Sequence, residues 1–242
     1  MELIEAIKAR HSVRKYLHKP ISEEAIAALQ EEIDECNRLG NLHIQLVLNE
    51  PKAFDGIASY GKFKGVENYL IIAGEKATDL DERVGYYGER VVLKAQCLGL
   101  NTCWTGLTYK KVHSAFTLND GEKVVCAIAL GYGETQGVNR KSKLIDAVSN
   151  ADSNSPEWFK QGVEAVLLAP TAINQQKFYF KLTNETSECG KAIVEAKRLF
   201  SLVGYTKMDL GIAKLHFEIA AGKENFVWKS AKVIKYLDKD KF

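Results

Sequence analysis

Arg10-His11-Ser12-Val13-Arg14 sets two guanidinium groups and one hydroxyl at alternate positions. In an extended chain alternate residues face the same way, so Arg10, Ser12 and Arg14 converge. A phosphate monoester suits that set, because arginine gives bidentate charge-assisted bonds and serine adds a neutral donor. The competing reading is that basic residues simply favour the C-terminal end of a helix. Such a helix is expected just before, over Glu2 to Ala9, where Leu3, Ile4 and Ile7 share one side.

The elements that must hold this cluster come from a chain of 242 residues, enough for one large domain or two fused halves. Apolar residues make up 46% and charged residues 26%, an ordinary globular balance. Lys plus Arg is 33 and Asp plus Glu is 31, so the net charge of +2 gives no argument for nucleic acid or an acidic membrane. Glu2 and Glu5 with no long apolar core read against a signal peptide, and none is expected. No apolar run approaches the roughly 20 residues of a membrane span. Five cysteines (Cys36, Cys97, Cys103, Cys126, Cys189) without zinc spacing read as free thiols in a reducing cytoplasm. The five histidines are scattered and no His-x-x-x-His occurs, so no metal site is expected.

Ser22 reads as the N-cap of a helix whose stripe is Ile26, Leu29, Ile33 and Cys36. Leu42 to Leu48 alternates as a strand, and Tyr69 to Gly74 is a buried apolar strand. A helix is expected over Gly88 to Leu98, ending at Gly99. Asn101 to Gly106 is a strand or loop of small residues with one large aromatic, and Val124 to Leu130 is a strand. A basic loop, Asn139 to Lys143, follows. The second half offers a helix over Glu157 to Ala169, a strand over Lys177 to Leu182, a helix from Asp209 to Gly222 capped by Asp209, and a short strand at Phe226 to Trp228. Lys229 to Phe242 reads as a solvated tail or edge element.

The halves echo each other. Asn41 to Glu50 answers Gln176 to Glu185; the helix ending at Gly99, five residues before Trp104, answers the one ending at Gly222, six before Trp228. A duplication is expected, with halves over 1–148 and 149–242 forming one structural unit.

In this order of motifs the chain resembles the nitroreductase family of flavin enzymes. The family's Arg-x-Ser-x-Arg segment is matched by Arg10, Ser12 and Arg14. Its Ala-Pro-Ser-x-x-Asn-x-Gln segment is similar to Ala169-Pro170-Thr171-Ala172-Ile173-Asn174-Gln175-Gln176, displaced here into the second half. Leu98-Gly99-Leu100-Asn101, Gly131-Tyr132-Gly133 and Arg140-Lys141 match further family features in order. Thr171 stands where the family has Ser, and Lys177-Phe178 where it has Pro-Trp, which bears on pocket shape.

The resemblance implies an α+β nitroreductase-like fold. It implies FMN as cofactor and NAD(P)H as hydride donor to a small organic oxidant such as a nitroaromatic or quinone. Family members are homodimers with shared sites. Here each signature occurs once, on different halves, so an intramolecular pseudodimer with a single site, competent as a monomer, is expected.

By resemblance Arg10, Ser12, Arg140 and Lys141 would hold the phosphate and Arg14 the pyrimidine edge of the flavin, with His11 counted among the cofactor-binding residues. Pro170, Thr171, Asn174 and Gln176 would approach from the other half. Trp104, Thr105 and Gly106 would lie near the reactive nitrogen, and Tyr60 and Lys62 at the flavin edge. The plainer readings are a solvated basic loop at Arg140-Lys141, a helix stop at Pro170, a core aromatic at Trp104, and a core or interface histidine at His216. No residue is expected to act as catalytic acid or base, since positioning and electrostatics carry hydride transfer. The alternatives are a non-catalytic flavin-binding sensor or carrier, or a specialised flavin enzyme of the same fold.

Overall fold

The computed structural model describes residues 1–56 and 62–229. In order, the elements are α1 (Leu3–Ala9), α2 (Glu23–Gly40), β1 (His43–Val47), β2 (Asn68–Glu75), α3 (Leu80–Cys97), β3 (Asn101–Thr105), β4 (Glu122–Gly131), α4 (Glu157–Leu167), β5 (Phe178–Thr186), β6 (Ala192–Arg198), α5 (Thr206–Ala221) and β7 (Phe226–Trp228). This is a mixed α+β chain.

Four strands form an antiparallel sheet in the order β1-β2-β4-β3. Its central strands are apolar on both faces, and the period-2 alternation sorts them into two layers. Leu70, Ile72, Cys126, Ile128 and Leu130 join the main core, which extends through α3, α4 and α5 to Phe226. Tyr69, Ile71, Ala127 and Ala129 face the other way, under Val13, Tyr16, Phe54 and Phe63. The second sheet, β5-β6-β7, pairs β5 with β6 antiparallel and β6 with β7 parallel. The main core thus draws on residues from Ile21 to Phe226.

Helices α3 and α5 cross at glycines. A Cβ on Gly85 would strike the Met208 carbonyl and crowd the Ile212 nitrogen, and one on Gly211 would strike the Glu82 carbonyl and crowd the Tyr86 nitrogen. Each contact is repeated at a spacing of 126 residues: 85 with 211, 82 with 208, 86 with 212. Arg83 of α3 donates to the Gly40 and Asn41 carbonyls, while Asp209 of α5, 126 residues on, accepts from the Ala172 N–H. Gly88 and Lys214, again 126 residues apart, meet the rings of Trp104 and Trp228, which are 124 apart.

Several elements differ from the sequence reading. Helix α3 begins at Leu80, eight residues earlier than Gly88, because Gly85 and Gly88, poor helix formers, are fixed there by close packing. Strand β6 emerges from Ala192 to Arg198, a stretch without a clean apolar alternation. Asp209 is not the cap of α5, which starts at Thr206; its carboxylate is committed to the loop after α4. Ser22 caps α2, accepting from the Ala25 N–H, and Gly99 takes φ +78° after α3, as expected. The Lys-rich end beyond residue 229 lies outside the described residues.

Candidate functional site

Helix α1 is anchored by Ala6 and Ile7, packed with Leu93 of α3 and Leu215 of α5. That anchor delivers Arg10, where the helix gives way to extended backbone (φ −69°, ψ 123°), beside Glu89 on α3, one turn before Leu93. The chain then runs along β3: Ser12 bridges Thr102 and the Val13 N–H donates to the Thr102 carbonyl at 3.0 Å.

Arg10 is 2% exposed, yet its Nε, Nη1 and Nη2 have no hydrogen-bond partner among the described residues. Glu89 Oε1 lies 3.6 Å from Nε, too far for a hydrogen bond. The Nε of Arg140 is likewise buried and unpartnered. Burial lowers the pKa of both guanidinium groups; Arg140, with Arg10 as the next cause, falls to about 10. A buried guanidinium with no hydrogen-bond partner is costly, so Arg10 beside Arg140 makes a candidate anion site. The donor set fits the phosphate of a mononucleotide.

The remaining expected residues fall into three groups. The His11 ring bridges the Ala9 carbonyl (2.9 Å) and Asn139 Oδ1 (2.8 Å), tying the 139–143 loop to the end of α1. Ser12 is half-buried, its hydroxyl beside the Cys103 thiol. Arg14 is exposed, so only Arg10 of the pair enters the interior. Lys141 is also exposed and acts through its carbonyl, which accepts from Asn174 Nδ2 (2.8 Å) and Gln176 Nε2 (3.1 Å).

The second signature is thereby stitched to the first. Gln176, 2% exposed, accepts from the Lys143 N–H through Oε1, and its carbonyl takes Lys143 Nζ at 2.7 Å. The Gln176 N–H donates to Thr171 Oγ1. Pro170 is buried at the start of this loop. Ile173, Asn174 and Gln176 take left-handed φ values of 45°, 58° and 44°, an uncommon state for a β-branched residue. Asp209 holds the turn, accepting from the Ala172 N–H (3.0 Å) and Gln175 Nε2 (2.6 Å).

Trp104 packs on Gly88 and donates from Nε1 to Glu89 Oε2 at 2.8 Å, bracing the carboxylate beside Arg10. Thr105 accepts from the Thr108 N–H, and Gly106 lies so close to the Tyr205 ring that no side chain fits. Lys62 is exposed; Tyr60 lies outside the described residues. Sequence reasoning missed Glu89, Lys143 and Gln175, and gave Asp209 and His216 plainer roles. No local pattern marks them, because each acts on a partner more than thirty residues away or across the α3–α5 crossing. Among the described residues no cluster of metal-binding side chains occurs, and no helix is long and apolar enough to cross a membrane.

Asp209 carries a pH signature. Burial raises its pKa from the ordinary 3.8 to about 6, against the two hydrogen bonds it accepts. Between those values the folded chain keeps a proton that the unfolded chain has released, so stability falls as pH rises through that window. Asp209→Asn is expected to flatten this part of the curve, measured by chemical denaturation from about pH 4 to about pH 7. An unchanged slope would mean that the carboxylate is solvated in the folded chain.

The chain is an α+β protein with two arginines, Arg10 and Arg140, brought together beside Glu89. The family described as "Putative TM nitroreductase" matches residues 2–221, and the chain belongs to it. The structure of a "putative nitroreductase" from Thermotoga maritima is 26% identical with TM-score 0.58, covering 91% of this chain and 83% of that one. A "putative nitroreductase in complex with FMN" from Desulfovibrio desulfuricans is 17% identical with TM-score 0.49, covering 64% and 98%. An "FMN-dependent nitroreductase" from Clostridium difficile is 18% identical with TM-score 0.47, covering 63% and 99%. No curated protein sequence matches the chain.

Proposed function

We propose that the chain binds one FMN and works as an NAD(P)H-dependent oxidoreductase acting on a small organic oxidant such as a nitroaromatic or quinone. The observation that carries this reading is Arg10, buried with all three guanidinium nitrogens lacking a hydrogen-bond partner, with the buried, unpartnered Nε of Arg140 close by. When bound, the flavin supplies a two-electron relay between reduced nicotinamide and oxidant. Arg10 and Arg140 would grip the phosphate, with Ser12 as a neutral donor and His11 bracing the loop that carries Arg140. Arg14 would face the pyrimidine edge, where a cation favours the anionic reduced ring. Pro170, Thr171, Asn174 and Gln176 would close the site from the second half, on a turn held rigid by Asp209 and Lys143.

Exposed apolar side chains sit on the flanking segments: Leu107 after Gly106, Ile173 in the turn, and Phe200 and Leu202 before Tyr205. They suit a small aromatic oxidant. No protein acid or base is invoked; the residues position and exclude water. The five cysteines are free thiols, which accords with a cytoplasmic setting.

The pseudodimer reading is supported by the 126-residue repeat across the α3–α5 crossing, the self-complementary contact that a twofold axis generates. Arg83 and Asp209 occupy matching helix positions with opposite charge, so only one of the two loops they hold can carry the Pro170–Gln176 geometry. We therefore expect FMN, not FAD, to be released on heating, at one per polypeptide, and to sediment with the monomer. FAD, or flavin that travels only with a dimer, would refute the respective part. Bleaching of the bound flavin by NADH or NADPH is the test of turnover; flavin that stays oxidised would mark a carrier or sensor.

A further inference from the structure

Behind Arg10 lies a second buried layer. Glu89 of α3 and His216 of α5 are both fully buried. His216 Nδ1 is 3.1 Å from the Ala165 carbonyl of α4, and Nε2 is 2.9 Å from Glu89 Oε1. Glu89 Oε2 accepts from Trp104 Nε1. The groups facing this pair are Arg10 after α1 and Arg140 in the loop, and the Cys103 thiol on β3 faces Arg10.

The hydrogen bonds fix the proton count. A carbonyl only accepts, so Nδ1 of His216 carries a proton. The short contact from Nε2 to Glu89 Oε1 then requires a second proton between them, since two lone pairs would repel. Whether that proton rests on nitrogen or oxygen, the pair is neutral as a unit. Glu89 alone would cancel one of the two guanidinium charges; coupled to His216 it cancels neither. The pocket keeps a charge of +2, the complement of a phosphate dianion.

We propose that His216 sets the charge of this pocket: by neutralising Glu89 in a proton-sharing pair, it leaves Arg10 and Arg140 to a doubly charged phosphate monoester. It is a positioning residue, touching no ligand. The inference rests on the FMN reading above.

The test titrates flavin-free protein with FMN and with riboflavin, which lacks the phosphate. In His216→Gln, Glu89 keeps its charge and the pocket falls to +1, so FMN affinity is expected to drop about tenfold or more. Riboflavin affinity should hold. In Glu89→Gln the amide can accept from Trp104 and donate to His216 Nε2, so the pocket stays at +2 and FMN affinity is expected to be retained. The double variant Glu89→Gln/His216→Gln removes the charge that His216 balances, and it should regain FMN affinity over His216→Gln alone. A purely structural role predicts the opposite: Glu89→Gln weakens FMN and the double variant is worst. Either result, or an unchanged preference for FMN over riboflavin in His216→Gln, overturns the inference while leaving the phosphate site standing. A wild-type protein that binds FMN and riboflavin equally would overturn the phosphate reading and this inference together. Should His216→Gln fail to fold, Glu89→Gln alone decides between the two signs.

Discussion

Arg10→Met is expected to stabilise the flavin-free protein and to weaken FMN binding in the same variant. In the free protein the guanidinium is buried without a hydrogen-bond partner, and it faces Arg140, whose pKa is already pushed down to about 10. Methionine replaces the apolar stem and removes the stranded charge. Glu89 does not lose its support, because His216 and Trp104 both still bond to it. Exchanging a poorly paired buried ion for an apolar side chain of similar size commonly gains about 1–4 kcal/mol. The cost appears on binding, where a charged hydrogen bond to phosphate is lost, at least about 1.5 kcal/mol. Thermal melts of flavin-free protein and FMN titrations at fixed salt measure the two effects. A destabilised flavin-free variant would show that Arg10 is structural, and an unchanged dissociation constant that it does not meet the phosphate.

The largest loss of stability is expected at the helix crossing. Gly211→Ala drives a methyl group onto the Glu82 carbonyl, and Gly85→Ala onto the Met208 carbonyl. Backbone inside a helix cannot swing aside as a side chain can, so the two helices must separate along their shared length. That opens the core between α3 and α5, and overpacking of this kind is expected to cost about 3 kcal/mol or more. Gly99→Ala is the control: its φ is +78° but nothing lies within 4 Å of the added carbon. It should lose only about 1 kcal/mol, from the left-handed backbone alone. Denaturant midpoints at constant slope measure all three. Because α3 and α5 meet at both glycines, the double variant should lose less than the sum of the single ones, the second methyl entering a gap the first has opened. Equal losses at Gly99 and Gly211 would mean that the crossing tolerates separation.

Local chemistry determined what the sequence by itself could reveal. The alternation of Arg10, Ser12 and Arg14, the cap at Ser22, the stop at Gly99 and the apolar runs of β2 and β4 depend on neighbours within a few positions. The order of motifs that marks the family is likewise read along the chain, from Arg10 to Gln176. The tertiary structure decided which of those residues matter and how. Arg10 went inside and Arg14 outside, because the anchor of Ile7 on Leu93 and Leu215 buries only the first. Lys141 contributes a carbonyl where its type suggested a charge. Helix α3 extends through Gly85 and Gly88 against propensity, since α5 and Trp104 need the missing side chains. Glu89 and His216, 127 residues apart, meet only because α3 and α5 cross. Propensity and periodicity act along the chain, whereas the charge of a buried pocket is a sum over residues that only folding brings within reach of one another.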